Sequence, residues 1–409
     1  MKPSSISNSD SSHDEAYQTS DPSDRLRVAV RTLLAGVLVF GSVVGCYNGL
    51  LSLIGDYNGR VVGQLEHLPV VVAENRDKLK VFVVGSSMVQ AGFEPTVFDR
   101  ATHEKGIETI SYNYGVGNLD PNYQVFITRR IRDQFLRGDE KLALTLLEFN
   151  PFQATTRRSG FGSITADQNI AVLASDAELW RMTLDDPTRG IRLFNIRYLR
   201  DGLSAELITS ATALFNQGQN TSTEAYRKAA QRTTELWARF NDLRDTDASV
   251  QGSGQWNIAN RGGRIDKSQL SREALDALGE WAASRRYSGF MENDLARRVR
   301  GADILELEFD ERSIEAFIAM VEDLKVVSET IEVILLPRNT DWVNYAPDVQ
   351  RRLDDVLRRI ESTTGVGVRN YHVDPRITPE HFLDTTHFSY YDGIDVFTKM
   401  LAEDYLGSL

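Results

Sequence analysis

What most constrains this chain is a recurring alternation of short apolar, β-branched runs with amphipathic helical stretches. LKVFVVG (79–85), ETISYNYG (108–115), KLALTLLEFN (141–150), IEVILLP (331–337) and VGVRNYHV (366–373) read as strands. The first of these is continuously apolar rather than alternating, the mark of a strand covered on both faces. Helical patterns stand between the runs. One opens at Pro95, and another opens at Pro121 and carries Val125, Phe126, Ile127, Ile131 and Phe135 on its apolar face. Two more cover 309–329 and the stretch APDVQRRLDDVLRRIESTT. Strands separated by helices form βαβ units with right-handed crossovers, so the expected fold class is α/β with a parallel five-stranded sheet.

Residues 154–305 break the rhythm. They mix helix-like segments such as STEAYRKAAQRTTELWARFNDLRD with the Gly/Ser-rich SVQGSGQWNIANRGGR, and no strand pattern persists. A helical insertion between the third and fourth strands is expected within a domain spanning 78–409. WNIANRGGR would form either structural surface or part of a polar-ligand groove.

Residues 1–24 are rich in Ser and Asp with little to bury, and read as a disordered tail. Residues 32–54 then carry no charge, within an expected anchor of 25–55. As a helix they would extend roughly 35 Å, enough to cross a bilayer core of about 30 Å. Arg25, Arg27 and Arg31 precede this run and Asp56 follows it. The positive-inside rule therefore expects a single-pass membrane protein with its N-terminus in the cytoplasm and the larger portion outside, in the periplasm. Lipidation at Cys46, in the box VVGC, and cleavage as a signal peptide are the alternatives. Residues 56–77 read as a linker with some helical character.

With a single cysteine and six histidines, no intrachain disulfide and no Cys/His metal cluster are expected. The net charge of −12 argues against a nucleic-acid partner.

Ligands of open α/β sheets bind at the carboxyl ends of the strands. Strand one ends at Gly85-Ser86-Ser87, strand two at Asn113-Tyr114-Gly115-Val116-Gly117, and strand three at Glu148-Phe149-Asn150-Pro151. Near the C-terminus, Asp384 stands three residues before His387. A serine hydroxyl needs a base, and the base needs a carboxylate to fix its tautomer. Ser87, His387 and Asp384 are the candidate triad. The Ser87 N–H, a glycine-loop N–H and the Asn150 amide are candidate oxyanion donors. Ser389 to Asp392 reads as a capping box for a last helix burying Ile394, Phe397, Leu401 and Tyr405. If the triad acts, Ser87→Ala is expected to abolish activity and Ser86→Ala to be far milder.

This order of blocks resembles the SGNH (GDSL-like) hydrolase superfamily, over about 78–153 and 309–409. Ser87 matches the nucleophile, and Ser86 stands where the usual Gly-Asp-Ser has aspartate. Gly117 or Gly115 matches the oxyanion glycine. Asn150 is kept without its usual flanks, and Asp384-x-x-His387 matches cleanly. Gly-Ser-Ser is the form found in membrane-anchored DltD-like members. The resemblance implies a three-layer α/β/α fold, no cofactor, and an acyl-enzyme intermediate. It further implies esterase or acyltransferase action on a cell-envelope polysaccharide or exopolysaccharide, beside a membrane O-acyltransferase. The other classes considered are an inert scaffold within a polysaccharide synthesis or secretion complex and a lipolytic esterase. His103, His372 and His381 read as structural.

Overall fold

The computed structural model describes residues 22–52, 60–117, 119–138, 140–159, 164–199, 223–246, 261–263 and 265–409. The chain divides into two units, Met1–Asp56 and Tyr57–Leu409. In the first, a helix α1 runs over Pro22–Ser52. Its Leu26–Cys46 portion has a mean hydropathy of 2.0 and buries none of its surface, so this helix is long and apolar enough to cross a membrane. The Thr32 and Ser42 hydroxyls donate back to the Val28 and Leu38 carbonyls, at 2.9 and 2.8 Å. Each of these two hydroxyls thus finds its acceptor within the helix itself. The expected disordered tail is replaced by helix from Pro22 onward, and its residues 1–21 lie outside the described ones.

The second unit holds a five-stranded, wholly parallel sheet in the order β2-β1-β3-β4-β5. The strands are β1 Leu79–Ser86, β2 Thr109–Val116, β3 Leu142–Glu148, β4 Ser328–Leu335 and β5 Val368–Asn370. β2 and β3 are buried along their full length, so their polar residues Thr109, Ser111, Asn113, Thr145 and Glu148 are enclosed together with the apolar ones. Two helices follow β1: α3, Ser87–Gly92, and α4, Pro95–His103. α4 packs with the C-terminal helix Gly393–Tyr405. A helix α5, Pro121–Phe135, packs with the Glu311–Lys325 helix, which also meets the Pro347–Thr364 helix. From β1 the chain first moves outward to β2, then returns across β1 to β3. The strand order therefore reverses between β1 and β3, and a crevice opens there at the carboxyl edge.

Three expectations shift. The 56–77 stretch contains a formed helix α2, Arg60–Glu74, whose Leu68 and Gln64 are buried, so this part is more than a connector. β5 is only three residues long, Val368–Asn370, and pairs with β4 over just that stretch at the sheet edge. The C-terminal helix is capped by the Asp392 carboxylate on the Gly393 N–H, while the Ser389 hydroxyl instead accepts from Tyr391 N. Its buried face does include Ile394, Phe397, Leu401 and Tyr405.

The insertion is helical among its described residues. Its helices Glu224–Thr246 and Arg272–Arg285 share a small core of Phe240, Leu278 and Trp281, into which Leu383 also packs. Of WNIANRGGR, residues 261–263 are described. The Asn113 N–H donates to the Arg261 carbonyl at 2.7 Å, so this piece covers β2. Residues 256–260 and 264 lie outside the described ones.

Candidate active site

β1 delivers Ser86 and Ser87 to the crevice, and their two hydroxyls have different surroundings. Ser86 is fully buried and caps α3, accepting from the Met88 N–H at 3.1 Å. Its hydroxyl oxygen also accepts from Asn150 Nδ2 at 2.7 Å. With both lone pairs used, its own hydrogen must go to Glu148 Oε1, 3.0 Å away. The Ser86 N–H donates to Glu148 Oε2 at 2.6 Å. A Cβ on Gly85 would collide with this carboxylate and stand 2.6 Å from Val89 Cγ2, so the position before the two serines has no room for a side chain.

Ser87, one residue on, is partly exposed and begins α3. Its Oγ is 2.8 Å from His387 Nε2, and His387 Nδ1 is 2.8 Å from Asp384 Oδ2. The loop bearing the last two residues is closed at its base. Phe382 and Phe388 form an isolated antiparallel bridge, and Leu383 N–H donates to the His387 carbonyl at 2.8 Å. Asp384 Oδ1 accepts from the Thr386 and His387 N–H groups, each at 2.8 Å. Burial alone would raise the Asp384 carboxyl, but His387, Arg298 and these hydrogen bonds hold it well below the usual carboxylate range. Asp384 is thus an anion whenever His387 must act as a base.

The Ser288–Ala302 helix of the insertion also reaches this loop. Asp294 accepts from the Thr385 hydroxyl and from Arg298 Nε, the latter at 2.7 Å. An Arg298 Nη2 lies 3.1 Å from His387 Nδ1 and 3.4 Å from Asp384 Oδ2. The arginine run ARRVRGA in an acidic chain is the one hint that could have been read.

Gly117 borders the cleft that holds Ser87 and His387, and a Cβ placed on it would lie 3.7 Å from Ser87 Cβ. Gly115 is different: it lies within β2, and its N–H is engaged by Asn113 Oδ1 at 2.9 Å. Asn150 lines the cleft, with its carbonyl oxygen accepting from Phe152 N at 2.9 Å. The Ser87 N–H, at the first position of a helix, has no intrahelical acceptor. Ser87, Gly117 and Asn150 line one cleft, and in it Ser87 Oγ stands against a ring nitrogen that can take its proton. Among the described residues, no group of His, Cys, Asp and Glu is placed to hold a metal ion.

His103, His372 and His381 lie elsewhere. Burial keeps His372 neutral, its pKa lowered to about 3, with the Arg338 cation acting in the same direction. The His381 ring accepts from Thr378 N at 3.0 Å, and His103 pairs with Glu108 at 2.5 Å.

The Ser86 contacts revise one expectation. Ser86→Ala would leave a buried carboxylate, the Asn150 amide and the Met88 N–H each short of a partner. It is expected to destabilise the fold by about 3 kcal/mol and to slow the chemistry by freeing Asn150. Denaturant unfolding checks this, and a loss below about 0.5 kcal/mol would remove Ser86 as the organiser of the floor.

Glu148 is pushed up to about 7 by burial, against the opposing pull of the Ser86 N–H and hydroxyl and of Asn150. Its ordinary value is 4.5, so the folded state holds the proton more tightly than the unfolded one. This contribution to stability is complete below pH 4.5 and is lost as pH rises through about 7. His372 has the opposite sign, losing stability as pH falls from 6.5 toward about 3, so only a difference isolates Glu148. Glu148→Gln is expected to gain on the wild type by on the order of 3 kcal/mol between acid and mildly alkaline pH. Parallel melts across that range check this, and a pH-independent difference contradicts it.

Compared with known proteins, the sequence matches no family model and no curated protein.

Proposed function

We propose that this chain is a membrane-tethered serine acyl-transfer enzyme of the SGNH type, an esterase or acyltransferase. The observation that carries the reading is the unbroken line Ser87 Oγ–His387 Nε2, His387 Nδ1–Asp384 Oδ2, at 2.8 Å for each contact. His387 takes the Ser87 proton as Oγ attacks an acyl carbonyl, and Asp384 stabilises the imidazolium. The oxyanion faces the Ser87 and Gly117 N–H groups and the Asn150 amide. The imidazolium returns its proton to the leaving alkoxide, and water or an acceptor hydroxyl then releases the acyl group from Ser87. Water makes the protein an esterase, a sugar hydroxyl makes it a transferase.

The apolar N-terminal helix supports a surface-bound rather than a diffusing substrate, and the flanking arginines support an N-terminus in the cytoplasm with the triad outside. A cell-envelope polysaccharide or exopolysaccharide carrying O-acetyl or similar groups suits that location, beside a membrane O-acyltransferase as donor. The test is a fluorophosphonate probe on the full chain. A single adduct mapped to Ser87 is the expected result. An unlabelled protein, intact and folded, would instead favour an inert scaffold in a polysaccharide complex.

A further inference from the structure

The cleft beside Ser87 has a volume of about 620 Å³, within the range that encloses drug-sized ligands. Among the described residues, its lining includes four arginines, Arg158, Arg297, Arg298 and Arg300, and no aspartate or glutamate. That is a sharp local reversal in a chain whose net charge is −12. Helix energetics explain part of it, because cations at the end of the Ser288–Ala302 helix suit its dipole. They do not explain Arg158, which comes from the segment after β3 and donates its Nε to Gln153 Oε1 at 2.7 Å. Burial lowers the Arg158 pKa, with Arg297 and Arg298 pushing the same way and Asp120 opposing them. Like charges from two separate segments are therefore crowded together. Asp294 offsets part of this, pairing with Arg297 at 2.6 Å and Arg298 at 2.7 Å, and Arg300 donates its Nε to the Ala296 carbonyl at 3.2 Å.

We propose that the ester this cleft works on is carried by an anion, with a carboxylate or phosphate group seated among Arg158, Arg297 and Arg300 while the acyl carbon meets Ser87. This rests on the acyl-transfer reading of the same cleft. Guanidinium forks match the oxygens of both anions and are weakly hydrated, so they bind such groups at low desolvation cost. A cleft lined by one sign of charge also concentrates substrates of the opposite sign. Arg298 is turned to Asp384 and His387 and is only 15% exposed, whereas Arg297, although it also pairs with Asp294, stays 68% exposed, so Arg297 together with Arg158 and Arg300 carries the selectivity.

The experiment compares para-acetoxybenzoate, para-acetoxyphenyl phosphate and the neutral methyl para-acetoxybenzoate as substrates of the full chain in non-ionic detergent. An anionic ester should show kcat/KM about tenfold or more above the neutral one, and the better of the two identifies carboxylate or phosphate. High salt should shrink the preference. Arg297→Gln with Arg300→Gln should cut it by about tenfold, in a protein whose melting temperature shows that it is folded. Equal turnover of the neutral ester overturns the proposal, as does a preference indifferent to salt and to the two substitutions. If no ester is turned over, binding of para-acetamidobenzoate and its methyl ester separates the two readings. Charge-selective binding lost in the double variant keeps the anion site while the acyl-transfer reading falls, and charge-blind or absent binding overturns the anion site as well.

Discussion

Ser87→Ala is expected to abolish fluorophosphonate labelling and to lower turnover of any ester by about four to six orders of magnitude. The substitution removes one oxygen from a partly exposed position at the start of α3, where alanine is a good helix former. Stability should change little, because the structural hydroxyl here belongs to Ser86. Loss of activity with an unchanged melting temperature would therefore locate the chemistry at Oγ. Labelling that persists in the variant would mean that a different side chain is the nucleophile. The comparison with Ser86→Ala is informative for the same reason: one serine should fail in the chemistry and its neighbour chiefly in stability.

That division of labour was only half legible in the sequence. Ser87 could be picked out because a buried apolar run ending in small hydroxyl residues is a local pattern. Asp384 and His387 could be paired because three residues separate them on one loop. The sheet was legible for a related reason: short runs rich in apolar and β-branched residues between amphipathic helices leave few arrangements other than a parallel α/β fold. The partnership of Ser86 with Glu148 and Asn150 was hidden, since it depends on β1 and β3 lying side by side with Val84 opposite Leu147. Register of that kind follows from the whole sheet and has no mark in either segment alone. Helix α2 was missed as a packed element because Pro69 interrupts its pattern, although the helix continues through it.

The insertion was the least legible part. Its helices carry no strand rhythm and no motif, yet one of them places Arg298 against His387 and Asp384. Two helices of the insertion also pack around Trp281, whose ring stacks on Tyr390 with centroids 5.9 Å apart, just beyond the loop of Asp384 and His387. The loop is thus held from both sides, by the C-terminal helix and by the insertion. The insertion belongs to the site, and the family-like blocks alone would not build it.

Arg298 makes a specific consequence follow from removing the triad carboxylate. Asp384→Asn is expected to reduce kcat by about ten-thousandfold. In the native site Asp384 Oδ2 accepts the proton on His387 Nδ1, leaving Nε2 bare to accept from Ser87. Arginine can only donate, and its Nη2 stands 3.1 Å from that same Nδ1. Once the carboxylate is gone, the guanidinium is free to donate to an unprotonated Nδ1. The imidazole proton then moves to Nε2, where it faces the Ser87 oxygen and blocks proton abstraction. Arg298→Gln alone is expected to cost much less, because Asp384 still selects the productive tautomer. Combined with Asp384→Asn, it should recover part of the lost rate, so the two effects should fail to add. Nitrogen chemical shifts of His387 give an independent readout: protonation at Nδ1 in the wild type and at Nε2 in Asp384→Asn. Strict additivity together with an unchanged tautomer would mean that Arg298 only braces the loop through Asp294.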